Sequence, residues 1–394
     1  MATPSPSLFP DLASETAANG EFSTGILPSQ RIRWLIEAQH LSASVAFSDD
    51  QIQPASVDLR LGPTAYRVRA SFLPNRASIR TRLDQFSSHA MDLGVPTVLE
   101  RGCVYIVPLV EELNLPRDIS AKANPKSTTG RLDVFTRLIT DFGTEFEQVP
   151  AGYKGRLYLE IVPRTFSILV SHGSRLSQLR FWRGSRAPSD AKLAELHESE
   201  TLVSVEGESP AEPFISKGLW VSVDLQGSGG SAVVGYRARR YAPIVDLSKV
   251  DFYDPAEFWQ PIVADGHGSI ILDPDEFHLL VSRERVRIPP AYAAEMVGYE
   301  PTVGEFRVHY AGFFDPGFGY GSADPMGARA VLEVRSHEVP FVLEHGQRVA
   351  RLTFERLQSV PDRVYGPSIG SSYQFQGLAL SKQFRQSGRA RVRG

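Results

Sequence analysis

His172-Gly173-Ser174-Arg175-Leu176-Ser177-Gln178-Leu179-Arg180-Phe181 returns later in the chain as His345-Gly346-Gln347-Arg348-Val349-Ala350-Arg351-Leu352-Thr353-Phe354, an offset of 173 residues. The same offset pairs Leu157-Tyr158-Leu159-Glu160-Ile161 with Ala330-Val331-Leu332-Glu333-Val334, and Leu115-Pro116 with Ile288-Pro289. A drift of one residue pairs Asp141 with Asp315. Ordered anchors at one spacing identify two tandem copies of one unit. Each copy is a series of short apolar runs broken by Gly, Pro and Asp, with little helical periodicity. The 28 Pro and 32 Gly suit an all-β unit with many turns. Ala55 to Leu61, Cys103 to Val107, Ile161-Val162 and Ser167 to Val170 read as strands. Trp220-Val221-Ser222-Val223-Asp224-Leu225 reads as the counterpart of Ser56-Val57-Asp58-Leu59. The copies diverge where Lys126-Ser127-Thr128-Thr129-Gly130-Arg131 faces Tyr299-Glu300-Pro301-Thr302-Val303-Gly304-Glu305. A cationic, hydroxyl-rich loop has become an acidic one, so at most one copy holds an anion there.

At 394 residues the chain is long enough for two full cores. Residues 1–25 read as a disordered leader, 26–183 as the first unit, 184–213 as a linker and 214–394 as the second unit with a C-terminal tail. Ser29 stands where it can cap a short helix from Gln30 to Ala38. The net charge is −3, with 42 Lys+Arg against 45 Asp+Glu, which argues against a role in coating nucleic acid. The basic end Arg385, Arg389, Arg391 and Arg393 reads as a solvated terminus. No apolar run approaches the roughly 18–20 residues that span a bilayer, and Met1 to Gly20 lacks the pattern of a secretory signal. The single Cys103 excludes an intrachain disulfide framework and fits the reducing cytoplasm.

Three motifs can carry chemistry. The loop Lys126 to Arg131 offers cations, hydroxyls and backbone N–H groups to phosphate oxygens, or is an ordinary polar loop, since it is no Walker sequence. Glu160 interrupts the apolar run Leu157 to Val162, and Glu333 repeats the pattern. A buried carboxylate is costly unless paired, and its raised pKa suits a proton shuttle. The alternatives are an outward-facing acid or an ion pair with Arg164 or Arg180. Asp141 and Asp315 sit at strand ends before turns, where an acid caps the turn or reads a base edge or sugar hydroxyl. Zinc-dependent base deamination needs a His/Cys/Cys cluster. One cysteine and scattered histidines do not form that pattern.

Taken in order, these residues resemble the dCTP deaminase branch of the dUTPase-like superfamily. Gln51 to Gly62 is similar to that family's early strand signature, and Lys126 to Leu132 to its phosphate and catalytic loop. Gly152-Tyr153-Lys154-Gly155-Arg156-Leu157-Tyr158-Leu159-Glu160 resembles its hairpin, whose last Glu is the base. Arg175 to Leu179 and Tyr373 to Lys382 resemble the following strand and the C-terminal lid. At about twice a usual family length, the chain looks like a tandem long form.

The resemblance implies two tandem distorted β-barrel units of the dUTPase-like, β-clip type with few short helices. It implies hydrolytic deamination of dCTP to dUTP and ammonia, feeding dUMP and dTTP synthesis: a hydrolase acting on a C–N bond of a cyclic amidine. Glu160 is then the general base, with Ser127 and Arg131 orienting the water. Lys126, Gln178, Gln376 and Lys382 face the triphosphate, Tyr373 of the lid is a further substrate-binding residue, and Asp141 holds the sugar 3′-hydroxyl. Family members use no zinc; Mg2+ accompanies the triphosphate. Their sites form between neighbouring β units in a trimer, so a homo-oligomer is expected. A composite site stays open, in which the first copy supplies Lys126, Ser127 and Arg131 and the second supplies Asp315 and Glu333. The rival readings are a bifunctional enzyme that carries dUTP on to dUMP and a catalytically silent nucleotide-binding regulator. A pure dUTPase lacks the strand Glu.

Overall fold

The structure is a computed structural model. It describes residues 22–184, 189–207, 211–227, 231–264, 266–297, 306–308, 312–321, 327–336, 339–366 and 377–385. The protein is all-β. Its longer α-helices are Ser29–Glu37, Ile79–Phe86 and Asp190–Glu200, with one-turn helices at Ser127–Gly130 and Pro255–Phe258. No helix among the described residues is long and apolar enough to cross a membrane.

In the first half one sheet runs Val57–Arg60, Arg175–Arg183, Ile119–Pro125, Gln148–Val149, with Gly25–Ile26 on the same edge of Arg175–Arg183 as Val57–Arg60, at its other end. A second runs Ser87–Asp92, Thr64–Val68, Val104–Asn114, Lys154–Pro163, Val134–Thr140. The second half follows the same orders. Leu219–Ser222, Arg348–Arg356, Tyr292–Val297 and Phe313–Phe314 form one sheet. Trp259–Val263, Val233–Ala238, Phe277–Val286, Ala328–Ser336 and Phe306–Val308 form the other. Register follows too: Phe181 opposes Ala121 as Phe354 opposes Ala294, and Glu160 opposes Ile106 as Glu333 opposes Leu279.

Lys154–Pro163 and Ala328–Ser336 are each flanked by strands on both sides, and their middles are buried on both faces. That explains the unbroken apolar runs around both glutamates. It also means that each acid is enclosed and needs partners.

The halves meet through equivalent positions. Lys122 pairs with Glu295 and the Trp182 indole N–H donates to Glu355, both across 173 residues. Ile26, Ala55, Trp182, Ala293, Phe313 and Leu357 form an apolar cluster between them. Arg335 reaches into the first half to buried Asp133 and to Thr165 at 3.0 Å.

Several sequence expectations change. Residues 22–25, within the expected leader, belong to the fold, and the Phe22 N–H bonds the Gln358 carbonyl at 2.7 Å. Ser29 does not cap. It is the first helical residue, Pro28 holds the cap position, and the Ser29 hydroxyl turns to Asp362. The expected linker packs into the second core through Leu193, Leu202 and Val203, because Val203–Ser204 adds to Phe277–Val286 as a strand. The counterpart of Val57–Arg60 is Leu219–Ser222, four residues earlier than the sequence alignment places it. Trp220 opposes Arg351 as Asp58 opposes Gln178. Asp58 therefore has an indole, not Asp224, as its equivalent.

Candidate active site

The turn after Ile119–Pro125 decides the site. Lys126 leaves the strand, its N–H bonding the Leu176 carbonyl at 3.0 Å. Ser127–Gly130 then close one helical turn, with the Thr129 hydroxyl donating to the Leu176 carbonyl at 2.8 Å. The turn is thus clamped to the neighbouring strand, and Arg131 begins the path to Val134–Thr140. It lines a cavity of about 670 Å³, within the size range of small-molecule sites.

The other wall comes from the second half. Phe313, Phe314, Asp315, Phe318, Val331, Glu333 and Tyr365 face the same space. Glu333 lies against Gly130 so closely that a Cβ there would overlap both carboxylate oxygens. Gly130 is required at that point for space, because its φ is ordinary. The second copy's acid and the first copy's Ser127–Arg131 turn are therefore direct neighbours.

The cationic end of the cavity is formed by Lys126, Arg175 and Lys382, with Gln178 beside them. Lys126 pairs with buried Asp58, and Arg175 sits 2.8 Å from Asp50 and 3.8 Å from Asp58. Burial, together with the charges of Lys126 and Arg175, holds the Lys382 ammonium below the usual lysine range. The Ser56 hydroxyl donates to Gln178 Oε1 at 3.1 Å, which orients that amide. Lys382 is delivered by the C-terminal segment. Phe384 is enclosed against Phe258 and Trp259, the Asp251 N–H bonds the Lys382 carbonyl at 2.9 Å, and the Ser381 hydroxyl reaches the Thr128 carbonyl at 2.9 Å. Arg131, 3% exposed, donates to the Ala379 carbonyl at 3.0 Å. Tyr373 and Gln376 lie outside the described residues.

Glu160 and Asp141 are elsewhere. Glu160 is fully buried in the first half, opposite Arg137, whose Nε donates to it at 2.8 Å. Arg137 in turn stacks on Phe146, so the partner is neither Arg164 nor Arg180. Asp141 accepts from the Ile79 N–H at 2.7 Å and so anchors the helix Ile79–Phe86. In the second half, Arg348, the equivalent of Arg175, is stacked on Phe214, 3.9 Å from its ring centre. The four residues Lys126, Ser127, Arg131 and Gln178 thus share one cavity with Asp315, Glu333 and Lys382, and Glu160 and Asp141 do not line it. Sequence reasoning passed over Tyr365. Asp58 and Arg175 lay within quoted motifs without being assigned a task.

Comparison with known proteins shows the family. Residues 23–185 match the 2′-deoxycytidine 5′-triphosphate deaminase N-terminal domain and residues 189–384 its C-terminal domain. The chain belongs to the dCTP deaminase family of enzymes. It resembles the crystal structure of 2′-deoxycytidine 5′-triphosphate deaminase from Agrobacterium tumefaciens, with a TM-score of 0.81, 53% identity, and coverage of 85% of this chain and 100% of that one. It is 32% identical over 151 residues to a "dCTP deaminase, dUMP-forming" of Halobacterium salinarum, covering 37% of this chain and 72% of that protein. A protein of the same name from Leifsonia xyli subsp. xyli is 33% identical over 181 residues, covering 43% and 85% respectively.

Proposed function

We propose that the protein hydrolyses the C4–N4 bond of dCTP, giving dUTP and ammonia, with Glu333 as the general base. The observation that carries this is the contact of the Glu333 carboxylate with the Gly130 turn inside the shared cavity. In the reaction, Glu333 takes a proton from water as its oxygen attacks C4. It passes that proton to N3, leaving a tetrahedral C4 that bears hydroxyl and amine. Glu333 then carries the hydroxyl proton to the amine, ammonia leaves, and C4 becomes the carbonyl of uracil. One shuttling carboxylate serves both transfers. Ser127 and Arg131, on the turn facing Glu333, orient the water and favour the ionised acid. Lys126, Arg175 and Lys382 take the triphosphate, with Gln178 and, from the lid, Tyr373 and Gln376. Asp315 accepts the sugar 3′-hydroxyl.

Asp58 and Asp50 are already taken by Lys126 and Arg175, so the Mg2+ is assigned to the triphosphate and arrives with the substrate. No step calls for zinc. We read each half as a distorted β-barrel unit of a tandem long form, working in the cytoplasm as a homo-oligomer.

The name "dUMP-forming" on two relatives favours a second reading, in which dUTP is cleaved further to dUMP and pyrophosphate. One experiment tests both. Protein treated exhaustively with chelator and returned to Mg2+ is incubated with dCTP, and ammonia, dUTP and dUMP are separated by chromatography. Ammonia with dUTP is expected. Ammonia with dUMP establishes the second reading, and absence of ammonia overturns both. Activity that returns only with Zn2+ removes the zinc-free mechanism.

A further inference from the structure

Arg180 belongs to none of the groups assigned above, yet it is a charged side chain enclosed at the wall of the site, only 1% exposed. It projects from Arg175–Arg183, the first-half strand that also supplies Arg175 and Gln178, and shares a face with Gln178 two residues away. Its guanidinium crosses to the second half and makes three kinds of contact with the segment Phe313 to Asp315. Nη2 donates to Asp315 Oδ1 at 3.1 Å and to the Phe314 carbonyl at 3.3 Å. The group lies 4.1 Å from the centre of the Phe313 ring, and Nη1 donates to the Ala294 carbonyl at 3.1 Å. Phe313, Phe314 and Asp315 are thus all held by one planar fork, a task that an ammonium cannot perform in the same way.

The equivalent position in the second half is Thr353, as Arg180 opposes Lys122 where Thr353 opposes Glu295. Its hydroxyl donates to the Glu295 carbonyl at 3.2 Å. The arginine is therefore peculiar to the half that faces Asp315. Asp315 is 9% exposed, and burial pushes its carboxyl up. An unpaired acid in that place would tend to protonate and would be free to rotate. Glu295 and Glu355 also face Arg180, but they are engaged by Lys122 and the Trp182 indole.

We propose that Arg180 is the positioning residue that keeps the Asp315 carboxylate turned into the cavity as an acceptor for the sugar 3′-hydroxyl. It acts through Asp315 across the junction of the two halves, so recognition of the sugar 3′-hydroxyl is set by a residue that does not touch it. This rests on the assignment of Asp315 to the sugar.

The test compares dCTP with 2′,3′-dideoxycytidine triphosphate, measuring kcat and KM for the wild type, Asp315→Asn, Arg180→Met and Arg180→Lys. A hydroxyl bonded to a charged acceptor corresponds to about 10- to 100-fold in kcat/KM. The wild type is expected to prefer dCTP by that factor, and Asp315→Asn to lose the preference. Arg180→Met is expected to lose it equally, and Arg180→Lys to recover part of it. If Arg180→Met does not fold, the double variant Arg180→Met/Asp315→Asn removes the stranded charge, and Arg180→Lys becomes the decisive single variant. Full discrimination in a folded Arg180→Met, or in Arg180→Lys when Met does not fold, overturns the role of Arg180 while leaving Asp315 in place. A wild type indifferent to the 3′-hydroxyl overturns the assignment of Asp315 itself, and Arg180's role with it.

Discussion

Replacing each strand glutamate by its amide separates the two acids that the repeat makes look alike. Gln keeps the size and hydrogen-bonding capacity of Glu but cannot take up a proton. General acid–base catalysis contributes roughly 100- to 10,000-fold, about 3–5 kcal/mol of barrier. Glu333→Gln is expected to lower kcat by that order while leaving dCTP binding and thermal stability nearly unchanged. Glu160→Gln perturbs something else. The residue is fully enclosed and accepts from Arg137, so the amide removes the anion from a buried ion pair. Arg137 retains 24% side-chain exposure, and the amide oxygen can still accept its N–H. The cost is therefore about 1–3 kcal/mol, below the cost of stranding a fully buried charge. A lower unfolding midpoint with near-normal turnover is expected. Ammonia release at saturating dCTP and thermal unfolding by circular dichroism read the two effects independently. A Glu333→Gln enzyme that deaminates normally, beside a folded Glu160→Gln enzyme that is silent, would refute the reasoning.

Gly130→Ala is expected to cost at least 100-fold in kcat, because the new methyl occupies the place of the Glu333 carboxylate; unfolding scans should move little, since a carboxylate tip shifts more easily than backbone. With Lys382 assigned to the triphosphate, only its charged form would bind, so kcat/KM should fall as pH rises through its lowered pKa, and Lys382→Arg should remove that alkaline limb from the pH–rate profile. Burial raises the Glu147 carboxyl to about 8, so between the ordinary carboxylate range and that value the folded state binds more protons than the unfolded one, and stability falls as pH rises. Glu147→Gln should therefore raise the unfolding midpoint at pH 8 to 9 and change it little near pH 4, as calorimetry across that range would record.

Much of this molecule was legible in its sequence, for identifiable reasons. Strand patterning is local, and a repeat at fixed spacing survives wherever the strands that carry it keep their register. The turn Lys126 to Arg131 was readable because its cations, hydroxyls and glycine are contiguous. Glu160 and Glu333 were not separable, since each sits in the same apolar context at the same place in its copy. What distinguishes them is which enclosed strand the fold brings against Gly130, a contact across some two hundred positions that neither segment encodes alone. The same holds for Arg180. In sequence it is one arginine in a strand, and only the packing of the halves sets its guanidinium on Asp315. The sequence by itself determined the strands, the recurrence of their pattern and the residue types of the cationic turn, because these depend on neighbours in the chain. The tertiary structure alone decided which acid meets that turn, because a buried carboxylate takes its role from the groups packed around it.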